Sequence, residues 1–341
     1  MQTFWAAVFV FGLLIIFHEL GHFLLAKAVG VKVHEFSIGF GPKLIGFPGR
    51  ETAYNLRLFP LGGFVRMAGM DPEEKDLDEE RSFPKKPVFL RMLVIVSGPF
   101  MNFVLAVVIV AIVLMFQGMP VPVTAVDRVQ PGGPAEAAGI LPGDRIVALD
   151  GREIREWTDL TAEIGARPGK PLTLLVERGG QRLEIRVVPY ADEQGKGKIG
   201  VYPAQELKRL SLIPALAAGV DYTVRLTGVI AGFLGQMITG KAPADLGGPV
   251  RIVFEINRAA ELGFFSLLQL AAFLSVNLGL FNLFPIPALD GSRLLFLAAE
   301  GLRGRPVDPA KENFIHFVGF GLLVLLIVVI TYNDILQLFM K

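Results

Sequence analysis

The chain has 341 residues, 52% hydrophobic and 19% charged, with a mean hydropathy of +0.52, well to the apolar side of soluble domains. A net charge of +1 gives no electrostatic footprint for a nucleic-acid partner, and the absence of cysteine excludes disulfides and thiolate metal ligands. The composition is that of a membrane protein.

The first apolar run, 4–26, contains His18-Glu19-Leu20-Gly21-His22. On a helix, positions i and i+4 share a face, so His18 and His22 can offer two imidazoles to one metal, with Glu19 beside it as general base. Zinc is the expected ion. Three ionisable residues within five positions of a membrane helix are costly and need a partner, a cavity or a metal. A purely structural histidine pair leaves Glu19 without a role. The stretch lacks a basic n-region and is interrupted by these residues, so it is expected to be a retained helix and not a cleaved signal.

A loop rich in lysine and arginine follows, 27–91. Within it, 54–67 alternates like a strand pair bent at Gly62-Gly63 before Phe64. A small surface hairpin and a hairpin with a role at the site both fit this pattern. The acidic stretch 71–80 reads as a solvated loop. The second span is 92–116 and carries Gly98-Pro99-Phe100-Met101-Asn102. Asn102 can hydrogen-bond near the site or serve as packing glue between helices. Residues 121–190 change character: apolar and polar residues alternate around glycine turns, as in a small half-buried sheet, with a helix at 158–164, strands at 172–177 and 182–188, and a Gly179-Gly180 turn. The segment 210–238 contains Asp221 and Arg225 and is broken by Pro214 and several glycines, which suits helices on the membrane surface. A further helix is expected at 250–260.

The third span, 264–284, closes on Asn282-Leu283-Phe284-Pro285-Ile286-Pro287-Ala288-Leu289-Asp290-Gly291, and the fourth is 314–331. Pro285 and Pro287 would unwind the chain so that it can fold inward. Asp290 then has two readings: third ligand of a His-His-Asp site, or interfacial carboxylate paired with Arg293. Catalytic zinc normally has three protein ligands and an open position. His34 and His316 compete for the role but read as ordinary surface or interfacial residues. The basic loops 27–91 and 285–313 are cytoplasmic by the positive-inside rule, which places both termini outside.

These motifs resemble the site-two protease family of intramembrane zinc metalloproteases, in particular its bacterial regulator-of-sigma-E branch, which inserts a PDZ domain between the second and third spans. The resemblance covers nearly the whole chain. It implies an α-helical polytopic membrane protein with four transmembrane helices and an inserted small α/β PDZ domain. The domain division is then 1–117, the first two spans with HExxH and a re-entrant hairpin; 118–192, an extracytoplasmic PDZ domain; 193–262, interfacial helices; and 263–341, the last two spans. It maps one Zn2+ to His18, His22 and Asp290 and the base to Glu19. Asn282, Pro285, Pro287, Gly62, Gly63, Phe64 and Asn102 become candidates for substrate binding or transition-state support. Ser292 stands where many members have a second glycine. The implied location is the bacterial inner membrane, with the active site near the cytoplasmic face. Implied substrates are single-span membrane proteins already cut outside, such as anti-sigma factors and remnant signal peptides; the PDZ groove would take a peptide carboxyl terminus. The rivals are a PDZ-bearing scaffold with a non-catalytic metal and a metal transporter. The intact Glu19 argues against the first, and the near-absence of polar residues from the second and fourth spans against the other.

Overall fold

The computed structural model describes residues 2–70, 79–242 and 247–339. The chain divides into two compact units, one built from the segments up to Val113 and from Ser211 onward, the other from Leu114–Leu210. In the first unit, α1 (Gln2–Ala28) is apolar on every side, as a helix enclosed by other helices and lipid must be. β1 (Val33–Pro48) and β2 (Ala53–Met67) follow, and then α2 (Val88–Phe116), with Pro99 inside it. The acidic stretch 71–80 lies mostly outside the described residues.

β1 and β2 are each long enough to fold back and pair twice. Ser37 faces Phe64 on one side and Asn55 on the other, while Phe47 lies opposite Tyr54. The first half of β1 is therefore central, and 63–67 has a partner on one side only among the described pairings. The bend that frees this edge is Gly62, whose φ of 149° and closeness to the Phe40 ring leave no room for a side chain. Beneath the sheet, Glu35 accepts hydrogen bonds from Ser37 Oγ at 2.5 Å, Asn55 Nδ2 at 2.6 Å and Arg57 Nη2 at 2.6 Å. Burial works against the charged carboxylate, but these bonds outweigh it and hold Glu35 at about 2.

The second unit contains β3 (Met119–Val129), α3 (Pro134–Ala137), β4 (Arg145–Leu149), β5 (Arg152–Glu153), α4 (Trp157–Gly165), β6 (Leu172–Arg178), β7 (Gln181–Val187), β8 (Tyr190–Ala191), β9 (Gly197–Lys198) and β10 (Val201–Lys208). The main sheet runs β10-β3-β4-β6-β7, with β5 on β4. Gly179 and Gly180 join β6 to β7 with φ of 58° and 82°, the left-handed pair that a two-residue hairpin turn needs. Its core is separate from that of the helices, with Ile146, Leu149, Leu160, Leu172, Leu174 and Val176 at its centre. Asp144 is fully buried here and takes a forked ion pair from Arg178, Nε to Oδ1 at 2.6 Å and Nη2 to Oδ2 at 2.8 Å, and the Leu141 N–H at 2.8 Å.

Returning to the first unit, α5 (Leu212–Ile238) is followed by α6 (Pro249–Leu262), α7 (Phe264–Asn282), α8 (Asp290–Arg303) and α9 (Pro309–Phe339). The expectation of several broken helices over 210–238 is corrected: α5 is one continuous helix of 27 residues, about 40 Å long at 1.5 Å per residue. Pro214 lies in its first turn, where a missing N–H costs nothing, and Asp221 and Arg225 pair at i,i+4. Among the described residues, four helices are long and apolar enough to cross a membrane: Gln2–Ala28, Val88–Phe116, Phe264–Asn282 and Ala310–Gln337. Val10 and Leu14 of α1 pack with Leu105 and Ile109 of α2 and Ala272 and Val276 of α7. At its far end α9 sends Asp334 to the start of α6, where the carboxylate accepts the N–H groups of Gly248 and Arg251 at 3.2 and 3.0 Å.

Asp144 yields a prediction for the second unit. Burial disfavours the carboxylate, but Arg178 and the Leu141 amide hold it below the usual range. A depressed folded pKa contributes stability that is present above the ordinary carboxylate pKa and lost as pH falls through the folded value. Asp144→Ala is expected to cost about 2 kcal/mol by stripping a buried charged acceptor from its donors. Hydrogen exchange at the Ile146 and Leu174 amides in the full chain should show this loss at pH 7, shrinking as the pH is lowered.

Candidate metal centre

His18 and His22 lie one turn apart on α1, and Asp290 is the first residue of α8. The three donor atoms converge: His18 Nε2 and His22 Nε2 are 3.3 Å apart, and Asp290 Oδ2 is 3.1 Å from the first and 3.3 Å from the second. An ion with bonds of about 2.0–2.1 Å in tetrahedral geometry needs its donors about 3.3–3.4 Å apart, so this triangle is one face of such a site. Asp290 Oδ2 is buried and has no hydrogen-bond donor. That is the condition of an acceptor meant for a cation. Among the described residues this is the one group of three metal-binding side chains close enough to share an ion; His34, in β1, is not part of it.

The outer nitrogens fix the two rings. His22 Nδ1–H donates to the Val94 carbonyl at 2.8 Å, which leaves the Nε2 lone pair free. His18 Nδ1 lies 3.1 Å from the side-chain amide of Asn102. With Nε2 turned to a cation, His18 carries its proton on Nδ1 and needs an acceptor. Asn102 has one to give: its Oδ1 is buried without a partner, and a half-turn of the amide sets it against Nδ1–H. Asn102 is itself fully buried, and its backbone carbonyl accepts Ser275 Oγ from α7 at 2.8 Å. Asn102 is therefore set between the His18 ring of α1 and Ser275 of α7.

Close backbone approach makes these contacts possible. A Cβ built on Gly98 would lie 2.2 Å from His22 Nε2, one on Gly21 would lie 2.1 Å from the Ser97 carbonyl oxygen, and one on Gly279 would lie 2.9 Å from the Pro99 carbonyl oxygen. Asp290 is delivered by a tight loop. Gly291 sits against the Phe284 carbonyl with no room for a side chain, and Ser292 Oγ donates to the Leu289 carbonyl at 2.7 Å. Ser292 is buried, so the small residue at the expected second-glycine position keeps the turn and adds a bond. At the other end of α8, Glu300 takes a forked pair from Arg91 of α2 at 3.0 and 2.5 Å.

A cavity of about 820 Å³ opens over the triangle. His18, Glu19, His22, Gly63, Phe64, Asn282 and Asp290 line it, together with Arg66 and His316. Gly63 belongs to the free edge of the sheet and touches Glu19: a Cβ there would lie 3.0 Å from the Glu19 Cγ. Gly62 is outside the lining and packs against Phe40, and the Pro287 ring packs on Gly319 of α9. Pro285 is exposed and outside the lining as well. The arrangement can hold one divalent cation, with a carboxylate and a strand edge beside it.

Gly98→Val is expected to expel the His22 ring and lower zinc affinity by about 10-fold or more, the usual effect of displacing a ligand's support. Gly12→Val, on the same helix as the histidines but with open space around it, should keep its metal. Elemental analysis of the two purified variants, with circular dichroism as the folding control, separates the outcomes.

Residues 6–326 match the family model described as peptidase family M50. The chain is 38% identical to zinc metalloprotease RasP of Geobacillus kaustophilus, over 98% of this chain and 97% of that protein. It is 37% identical to the regulator of sigma-W protease RasP of Bacillus subtilis, over the full length of both. Among solved structures, the PDZ domain of an SdrC-like protein from Listeria innocua is 24% identical over 26% of this chain and 98% of that domain, with a TM-score of 0.23.

Proposed function

The chain belongs to peptidase family M50 and is a zinc metalloprotease of the site-two type, and we propose that it cuts single-span membrane proteins within their membrane segments, using His18, His22 and Asp290 to hold one zinc and Glu19 as the base. The observation that carries this reading is the triangle of donors 3.1–3.3 Å apart, set among apolar helices with a free carboxylate beside it. Zinc, when bound there, supplies Lewis acidity that acidifies water and polarises a peptide carbonyl. Glu19 accepts the proton of the attacking water and returns it to the leaving amine. Asn102 and the Val94 carbonyl keep both imidazoles in the ligating tautomer. Asn282, on the cavity wall, is our candidate donor to the oxyanion that develops from the scissile carbonyl.

A helical substrate hides its carbonyls in i to i+4 bonds and must be drawn out before it can be cut. The edge 63–67 supplies what an extended peptide needs, a strand with one unpaired side, bordering the same cavity as Glu19. The basic loops argue for an active site near the cytoplasmic face and for both termini outside. On that topology the 114–210 unit is extracytoplasmic. It carries a groove of about 970 Å³ between α4 and the segment Gly197–Tyr202, a geometry suited to an extended peptide end. The substrates we favour are the remnants left by a first outer cut, with anti-sigma factors foremost because the Bacillus subtilis relative is named for sigma-W regulation.

Glu19→Gln tests the assignment. Cleavage of a single-span substrate in liposomes should fall at least about 1,000-fold while bound zinc stays stoichiometric, and a chelator should abolish the wild-type activity. Undiminished cutting by Glu19→Gln would sink the base assignment, and zinc loss in that variant would move Glu19 into the ligand set.

A further inference from the structure

The sequence reading treats His316 as an ordinary interfacial histidine. In the structure its Nδ1 accepts the Ala288 N–H at 3.1 Å, across 28 residues of sequence. Ala288 is two residues before Asp290 and has a φ of 77°, one of only two non-glycine residues with positive φ among those described. An L-residue with a side chain does not stay in that region unless something holds it. One turn further along α9, on the same face, Gly319 lies against Pro287, so close that a Cβ on Gly319 would be 2.0 Å from the Pro287 Cβ. Arg293 is among the charged groups near His316, and two more groups face its ring. Phe296 of α8 packs edge-on at 5.7 Å, and Glu312, one turn back, lies 3.7 Å from Nε2. A neutral ring with its proton on Nε2, turned toward Glu312, leaves Nδ1 as the acceptor that Ala288 uses. Among the described residues of α9 only Gly319 and Asp334 are buried, and Gly319 is the one that lies against Pro287.

We propose that His316 is a positioning residue for the metal site: its Nδ1 holds Ala288 in the left-handed conformation and thereby aims the Asp290 carboxylate at the two histidines. The fourth span thus supplies no ligand but sets the third one. The inference rests on Asp290 being a ligand. Outer partners of metal ligands are commonly worth about 10- to 100-fold in affinity, and here the partner acts through two peptide units and not by touching the carboxylate.

Zinc affinity by chelator competition and the visible spectrum of the cobalt-substituted full-length protein in detergent supply the test, on Asp290→Ala, His316→Ala, His316→Asn and the double variant His316→Ala with Ala288→Gly. His316→Ala is expected to weaken zinc at least about 10-fold and to change the cobalt spectrum. His316→Asn, whose Oδ1 can take the place of Nδ1, should recover part of the loss. So should glycine at 288, which adopts positive φ unaided. Wild-type affinity and spectrum in His316→Ala, with Asp290→Ala impaired, overturn the positioning role alone. Loss in His316→Ala that neither rescue improves overturns it as well, because the effect then does not pass through the Ala288 backbone. Wild-type affinity in Asp290→Ala overturns the ligand assignment itself.

Discussion

The centre depends on one stretch of backbone, residues 94–102 of α2, being approachable from two sides. The Val94 carbonyl takes the His22 proton, Gly98 makes room for the His22 ring, and Asn102 reaches His18. On the flanks, Gly21 of α1 and Gly279 of α7 bring their helices against the carbonyls of Ser97 and Pro99. Lipid chains are as apolar as leucine, so helices in a membrane gain little from burying aliphatic surface; close packing and hydrogen bonds between helices must do the work. In this chain those contacts are also the outer shell of the metal site. A substitution that loosened the helix packing would therefore disturb the histidine tautomers at the same time.

The second constraint is electrostatic. Two histidines and a carboxylate with an unpartnered buried oxygen are a costly cluster in apolar surroundings, and a divalent cation removes most of that cost. The same logic separates the site from the paired carboxylates of the hairpin. Glu35 is satisfied by Ser37, Asn55 and Arg57, and Glu51 by Lys27 and Arg81, so each has its partners within the hairpin and its flanks. Both carboxyls are held at about 2, Glu35 by hydrogen bonds that outweigh its burial and Glu51 chiefly by Lys27. They fix the shape of the hairpin. The donor triangle, by contrast, is incomplete without an ion.

The sequence marks the spans by hydropathy over about 20 residues and the His18, Glu19 and His22 group by a spacing on one helix turn, whereas it leaves Asp290 between a third ligand and a partner of Arg293. The hydrophobic periodicity of the inserted unit likewise marks its strands and the Gly179-Gly180 turn. What sequence alone left open depends on distant backbone. Nothing local says that Gly98 is empty because a ring from α1 fills the space, or that Asn102 lies against His18. His316 looked interfacial because its partner is a backbone amide, which has no sequence signature. Pro214 misled for a simpler reason: its effect depends on its place in the helix, and in a first turn it breaks nothing.

Membership of the family fixes the chemistry more firmly than the route a substrate takes to it, and here the sheet edge narrows the choices. An enzyme that cuts helices must separate two tasks, exposing a carbonyl and attacking it. The edge 63–67 and Glu19 meet at Gly63, where a Cβ on the strand would press within 3.0 Å of the Glu19 Cγ. A peptide added to that edge would present its carbonyls along the cavity wall, with spacing set by the strand and not by its side chains. Recognition of this kind reads backbone, so sequence selectivity must come from elsewhere. Two sources fit: the ease with which a given span unwinds, and the groove beside α4, which can reward a chain already shortened to a free end. A strand edge built next to Glu19 would make selection depend on substrate state and not on cleavage-site sequence.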